Sequence, residues 1–166
     1  MNIFTKIGAG LLIVAVQAMT VVLAQGSIKL YQKGSIEDPG GTCSLDIGTE
    51  YKAYGFRDDS TNDCTNDMYS FFTLYNVDSA VQIAFGSESN CRKVGPDYTG
   101  DWYYRVKTYI QPTNSTLISI PGTLRSATPG QLLKPGVMFV DGKNKNNENV
   151  EGKLSCVYIW PGTPAS

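Results

Sequence analysis

The sequence FFTLYNVDSAVQIAF at residues 71–85 decides the fold class, because its apolar residues recur at every second position on both sides of a polar turn. Phe72 and Leu74 share one face before the turn, and Val81, Ile83 and Phe85 share one face after it. A period of two is the spacing of side chains on one face of a β-strand. The stretch therefore predicts two β-strands joined by a short turn.

The same alternation extends outward over most of the chain. Further alternating or β-branched runs lie at residues 28–32, 43–47, 102–110, 117–120, 137–140 and 154–160. The 17 glycines and eight prolines occur largely between these runs, where they favour turns. After the N-terminal segment, no stretch of a dozen residues has the apolar spacing of a helix. The chain therefore predicts an all-β sandwich or Greek-key barrel, with about eight or nine strands.

The N-terminal segment differs from the rest of the chain. Lys6 precedes an apolar run, Ile7–Ala24, that ends in small residues, which is typical of a secretory signal peptide. Gln17 within the run, and the lack of a basic cluster after it, argue against the alternative of an uncleaved membrane anchor. We expect residues 1–24 to be a helical signal peptide and residues 25–166 a single domain. The mature protein would be secreted or periplasmic, with no stable membrane span.

The four cysteines all follow this segment. In an oxidising compartment they predict two disulfides among Cys43, Cys64, Cys91 and Cys156. None of them forms the C-x-x-C pair typical of zinc or thiol-redox sites. The spacing alone leaves all three possible pairings open.

Composition excludes several classes of function. With no histidine, the chain cannot form a Ser-His-Asp triad, a Cys-His pair or a His-ligated zinc site. A net charge of −1 gives no basic surface for nucleic acid. Asp58, Asp59, Asp63 and Asp67 are the carboxylates that a glycosidase pair would need, but they lie in one polar stretch typical of a solvated loop. We therefore expect neither an enzyme nor a nucleic-acid partner.

The sequence NDMYS at residues 66–70 leads directly into the strand that begins at Phe71. It resembles the signature of a βγ-crystallin Greek key, which is two Asn/Asp residues, two variable residues, then Ser/Thr and Ser. A second, degenerate copy can be placed at Asn149–Ile159. The resemblance implies a β-sandwich of two Greek keys over about residues 27–160. It also implies a Cys43–Cys64 bridge within the first Greek key and a Cys91–Cys156 bridge between the two.

The same resemblance implies a metal site. In the family, the Asn/Asp pair and the hydroxyl help to bind calcium, so Asn66, Asp67 and Ser70 are the candidate ligands. The first signature has Phe71 where the family has Ser, and the second has Gly152 where the hydroxyl should stand. A weak or absent calcium site is therefore expected. The alternative is that these side chains bond the local backbone as turn formers.

One strand also offers a candidate contact surface. On the stretch 102–110, alternation predicts that Tyr103, Arg105, Lys107 and Tyr109 share the face opposite Trp102, Tyr104, Val106 and Ile110. Tyrosine and arginine are frequent interface anchors, so this strip could contact a protein, a sugar or a lipid headgroup. The alternative is an ordinary solvent face with cation–π contacts.

Together these features predict a secreted, non-catalytic binding or structural module of βγ-crystallin type. Its only expected cofactor is calcium, if any, and its partner is an unidentified protein or surface ligand. The alternative function is a protease inhibitor or an antimicrobial, toxin-like protein of the same fold. An inhibitor would use an exposed loop such as Gln111–Thr116 or Thr123–Gln131.

Overall fold

The computed structural model describes residues 26–57, 62–91 and 98–162. Within these ranges the chain forms ten strands, which are β1 Ser27–Tyr31, β2 Thr42–Asp46, β3 Lys52–Gly55, β4 Phe71–Tyr75, β5 Gln82–Gly86, β6 Trp102–Thr108, β7 Ile118–Ser119, β8 Leu132–Lys134, β9 Val137–Asn144 and β10 Cys156–Trp160. The expected signal peptide, and the pair Asp58-Asp59, lie outside the described residues.

Helix is almost absent from the described part of the chain. A π-helical turn spans Ile120–Leu124, and a short 3₁₀ turn spans Lys145–Asn147. The first turn is capped by Ser119, whose hydroxyl accepts from the amide of Gly122 at 2.9 Å. No helix in the described ranges is both long and apolar enough to cross a membrane.

The strands form two antiparallel sheets, which confirms the all-β prediction. The order is β2-β1-β4-β7 in the four-stranded sheet and β3-β10-β5-β6-β9-β8 in the six-stranded sheet. The register of β1 and β4 places Ile28 opposite Leu74 and Leu30 opposite Phe72. Alternate residues of neighbouring strands therefore point to the same side of the sheet.

Two strands change sheets. β3 follows β2 in the chain but pairs with β10 in the six-stranded sheet. β7 follows β6 but pairs with β4 in the four-stranded sheet. Each half of the chain thus supplies one strand to the sheet built mainly by the other half, and neither half completes its sheet alone.

The main hydrophobic core lies between the sheets. Phe72 of the four-stranded sheet and Phe85 of the six-stranded sheet meet there, with ring centroids 4.4 Å apart. Both rings are fully buried, as are Ile28, Leu30 and Ile83. Burying such a side chain stabilises the fold by roughly 1.5–3 kcal/mol. The alternation over residues 71–85 therefore identified the core-facing side of both strands correctly.

Two disulfides join connections to strands. Cys43 of β2 pairs with Cys64, 21 residues later, in the connection between β3 and β4. Cys91, after β5, pairs with Cys156 at the start of β10, 65 residues later. No cysteine is free. The pairing is the one that the resemblance implied.

Candidate functional site

The candidate calcium residues lie where the two halves of the chain meet. Residues 66–70, before β4, contact residues 152–155, before β10, and these two segments are called the junction below. The amide of Gly152 donates to the hydroxyl of Ser70 at 2.7 Å. The hydroxyl of Ser155 donates to Oδ1 of Asp67 at 3.1 Å, and the amide of Asp67 donates to the carbonyl of Leu154 at 3.2 Å. Three hydrogen bonds therefore close the junction.

The backbone at the junction adopts a conformation that its residue types favour. Asp67 has a φ of 53° and Gly152 a φ of 60°, both in the left-handed region. Aspartate tolerates this region better than most residues, and glycine adopts it without strain. A Cβ at position 152 would still be 3.8 Å from the nearest atom, so conformation rather than space requires glycine there. This left-handed conformation accounts for glycine at position 152.

The three calcium ligands that the sequence predicted, Asn66, Asp67 and Ser70, are poorly placed to bind calcium. Ser70 is only 2% exposed, and its hydroxyl already accepts a backbone hydrogen bond. One oxygen of Asp67 is likewise occupied by Ser155. Among the described residues, no group of three or more His, Cys, Asp or Glu side chains is placed to hold a metal ion. Asp67 and Ser70 act here as hydrogen-bonding residues, and their partners are distant in the sequence rather than local.

A polar cleft opens beside the junction. Its volume is about 350 Å³, and its lining includes Asn66, Asp67, Asp101, Trp102, Glu148 and Ser155. These residues come from the connections before β4 and β10 and from the start of β6. Lys153 also lines the cleft. Asn66 and Asp67 thus belong to both the junction and the cleft, whereas Ser70 belongs to the junction alone.

Two buried polar atoms at the cleft have no hydrogen-bond partner. They are Oδ1 of Asn66 and Nε1 of Trp102, and no other buried side-chain nitrogen or oxygen in the described residues shares this state. Trp102 is only 1% exposed. Most buried polar atoms in proteins are hydrogen-bonded, so each exception calls for an explanation. The pair comprises one acceptor and one donor; their residues line the same cleft, but the two atoms themselves are closed off from solvent.

Side chains of neighbouring residues hold the backbone at two acidic residues of the cleft, Asp101 and Glu148. The hydroxyl of Ser87 accepts from the amides of Asp101 and Trp102, at 3.0 and 3.2 Å. The side chain of Asn144 accepts from the amide of Glu148 at 2.8 Å and donates to its carbonyl at 3.1 Å. Within the described ranges, neither the Asp101 nor the Glu148 carboxylate has an ion-pair partner. Both carboxylates therefore add negative charge to the cleft, and the cationic side chain of Lys153 lines the same cleft.

The prediction of an exposed contact strip on β6 is wrong at Tyr103. Tyr103 is buried, at 7% exposure, because Tyr98 packs against it with ring centroids 5.2 Å apart. Burial raises the pKa of the Tyr103 phenol, and the Asp141 carboxylate raises it further. Arg105 forms an ion pair with Asp141 of β9, its Nε donating to Oδ1 at 3.0 Å. Tyr109 is 42% exposed but lies beyond the end of β6. Lys107 is half-buried, and Tyr103 is not part of an exposed strip.

Tyr103 belongs instead to a second hydrophobic cluster, on the outer side of the six-stranded sheet. Its buried members are Ala84, Tyr98, Tyr103, Cys156 and Tyr158. Sequence reasoning missed this cluster. The available signal was the continuous apolar run 156–160, since a strand that is buried on both faces lacks polar alternation.

The loop Gln111–Thr116, considered as an inhibitor loop, is fastened to the sandwich. Thr113 exchanges two backbone hydrogen bonds with Val77, of 3.0 and 2.6 Å. The hydroxyl of Ser115 accepts from the amide of Leu74 at 2.9 Å. The segment therefore completes the end of β4 rather than projecting from the fold.

Comparisons with protein-family models, with curated proteins and with solved structures find no match to this chain. Its function is therefore inferred from its own residues and contacts.

Proposed function

We propose that this protein is a secreted, non-catalytic binding module with the two-Greek-key architecture of the βγ-crystallins, in which hydrogen bonds rather than calcium close the junction. The observation that carries the proposal is the strand order of the two halves. Two further observations support the proposal, namely the contacts of the junction and the lack of histidine and of free cysteine.

The strand order supports two Greek keys. In a Greek key the fourth strand returns by a long connection to lie beside the first. In the first half, β4 lies beside β1 and β1 beside β2. In the second half, β10 lies beside β5 and β5 beside β6. The third strand of each half, β3 or β7, pairs in the opposite sheet, and β8 and β9 extend the six-stranded sheet past β6.

The junction supports the comparison between the two halves. The segments 66–70 and 152–155 each precede the fourth strand of their half, and they contact each other. These are the positions at which the two copies of the signature were placed. Because the hydroxyl of Ser70 and one oxygen of Asp67 are engaged within the protein, we propose that this junction is stable without an ion.

A binding role rather than catalysis is supported by the residue inventory. The chain has no histidine, and all four cysteines form disulfides. The commonest general base and the most reactive nucleophile of enzymes are thus both missing.

Export is supported by the N-terminal pattern and by the two disulfides, which form in oxidising compartments. Mass spectrometry of the exported protein should find an N-terminus within a few residues of Gln25.

Calcium-dependent melting tests the central part of the proposal. Thermal unfolding is measured without calcium and with calcium at about 10 mM, and magnesium at the same concentration is the control. Even a dissociation constant near 1 mM would add only about 1.4 kcal/mol at that concentration. We therefore expect a calcium-specific rise in Tm of at most a few degrees. A rise above about 6 °C would contradict a junction closed by hydrogen bonds.

A further inference from the structure

We propose that Asn114 is a glycosylation site, at which the exported protein carries an N-linked oligosaccharide. This inference rests on the proposed function, because N-linked glycosylation of this kind is a modification of exported proteins. It is carried by the acceptor motif, by the exposure of Asn114 and by the hydrogen bonds that hold its loop.

Asn114 begins the sequence Asn-Ser-Thr, which is an acceptor motif for N-linked glycosylation. The motif requires serine or threonine two residues after the asparagine, and any residue except proline between them. Thr116 and Ser115 meet these two requirements. Of the ten asparagines in the chain, only Asn114 is followed by such a pair. The chain therefore offers one acceptor of this type, downstream of a leader typical of exported proteins.

The folded protein accommodates a glycan at Asn114. An oligosaccharide is bulky, so the asparagine that carries it must lie on the protein surface. Asn114 is exposed, in the connection between β6 and β7. The backbone on both sides of it is fixed, since Thr113 pairs with Val77 and the amide of Ser115 donates to the carbonyl of Leu74 at 3.0 Å. The acceptor side chain thus stands at the surface on an ordered backbone.

A hydrogen bond orients the amide group of Asn114. Its Oδ1 accepts from the backbone amide of Asn76 at 2.8 Å. The other branch of the group, Nδ2, is the atom that takes the sugar, and it has no hydrogen-bond partner among the described residues.

The transfer leaves that hydrogen bond intact. Nδ2 forms a bond with the anomeric carbon of an oligosaccharide that is carried on a lipid diphosphate. The bond from this carbon to the diphosphate oxygen breaks, its electron pair stays on the diphosphate, and Nδ2 loses one proton. Oδ1 is unchanged in the product, so the modified side chain can still accept from Asn76.

Exposed apolar side chains flank the site. Tyr75 is 70% exposed, the highest value of any large hydrophobic side chain in the described residues, and it directly precedes Asn76. On the other side, Ile110 is 44% exposed, and its carbonyl accepts from the hydroxyl of Thr113 at 2.6 Å. A hydrophilic oligosaccharide attached beside these side chains would cover apolar surface that the fold leaves exposed.

Asn114 lies at the end of the sandwich opposite the junction. β4 begins at Phe71, directly after the junction, and ends at Tyr75, beside the partner of Asn114. Its five residues, at about 3.3 Å each, separate the two ends by roughly 16 Å. β6 likewise begins at the cleft and ends before the loop that carries Asn114. A glycan attached here leaves the junction end available to the partner of a binding module.

Mass spectrometry of the exported protein tests the site. The protein is purified after export from the cells that naturally produce it, and its intact mass is measured before and after digestion with peptide N-glycosidase. This enzyme releases the glycan and converts the carrier asparagine to aspartate. We expect the mass to fall on digestion, and peptide mapping to place the converted asparagine at position 114 alone. Digestion in isotopically labelled water separates this conversion from spontaneous deamidation.

Variants expressed in the same cells separate the motif from the fold. Asn114→Gln removes the acceptor, whereas Thr116→Ala removes the motif and leaves the Asn114–Asn76 hydrogen bond in place. Both variants should lose the glycan completely, and Thr116→Ser, which keeps the motif, should retain it. Asn149 is exposed and lies outside any such motif, so Asn149→Gln is the matched control and should remain glycosylated.

The N-terminus of the purified protein reports export separately. The inference is overturned if protein that begins near Gln25 has an unmodified Asn114, or if the glycan persists in Thr116→Ala. The first of these results would leave the proposed function in place. A chain retained in the cell with its leader intact would overturn both the glycosylation site and the proposed export.

Discussion

Replacing Ser70 with alanine tests whether the junction is held by hydrogen bonds. The Ser70 hydroxyl is buried and accepts from the amide of Gly152 at 2.7 Å. Alanine removes the acceptor, changes little volume and leaves the Gly152 amide without its partner. The variant should therefore be less stable than the wild type in the complete absence of calcium.

The size of this loss follows from the burial of the two residues. Leaving a buried donor unsatisfied costs about 1–3 kcal/mol. Gly152 is only half-buried, so water can partly replace Ser70, and the loss should fall in the range of about 1–2 kcal/mol. For a domain of this size, each kcal/mol lowers Tm by roughly 2–4 °C. We expect Ser70→Ala to lower Tm by about 2–8 °C.

Urea unfolding with and without calcium measures this loss and assigns its cause. Ser44 is exposed on β2, so Ser44→Ala is the matched control and should stay within about 0.5 kcal/mol of the wild type. The reasoning is refuted if Ser70→Ala unfolds like the wild type without calcium but removes a stabilisation that calcium gives the wild type. In that event Ser70 would be a calcium ligand.

Three further predictions concern the framework around the site. The buried hydroxyl of Thr108 accepts from the amide of Val81 and donates to the carbonyl of Asp78. In urea unfolding, Thr108→Val should therefore lower the free energy of unfolding by about 2–4 kcal/mol, and Thr108→Ser should lower it less. Replacing both cysteines of the Cys91–Cys156 bridge by alanine should lower the free energy of unfolding by about 4 kcal/mol, and removing the Cys43–Cys64 bridge should lower it by about 3 kcal/mol. The first loss is larger because that bridge closes the longer loop, and the reverse order would contradict this explanation. Burial raises the pKa of the Tyr158 phenol above the ordinary value of 10.0, so the unfolded state releases protons first and stability should fall as pH rises beyond about 10. The phenolate absorbance of Tyr158 should then appear only as the protein unfolds. Ionisation of every tyrosine while the protein is still folded would contradict this prediction.

The core strands were predictable from sequence, but the two edge strands of the six-stranded sheet were not. β3, Lys52–Gly55, buries only Tyr54, and β8, Leu132–Lys134, has no buried residue. Both are edge strands of the six-stranded sheet. A short edge strand contributes few side chains to the core, so its sequence carries little alternation to detect. The change of sheet by β3 was for the same reason invisible in the sequence alone.

The sequence pointed to one side of the junction, but not to its contacts, nor to the cleft residues Asp101, Glu148 and Lys153. The Asn/Asp-rich segment before β4 marked Asn66, Asp67 and Ser70, and the turn interpretation expected them to bond the local backbone. Ser70 and Asp67 instead bond residues 82 and 88 positions away. Such partners depend on how the two halves pack. The error at Tyr103 has a similar origin, because the ring of Tyr98, which covers it, comes from a connection outside the sheet.

The closed junction and the open cleft are consequences of one arrangement. Asp67 gives one carboxylate oxygen to Ser155 at the junction, and its side chain also lines the cleft. A calcium ion at the junction would need that carboxylate and would neutralise part of the negative charge of the cleft. Because hydrogen bonds close the junction instead, the carboxylates of the cleft keep their charge and their accepting lone pairs. A calcium ion at the junction would have to displace Ser155 from Asp67, so calcium binding and the Ser155–Asp67 hydrogen bond oppose each other, and by linkage each would weaken the other by the same factor.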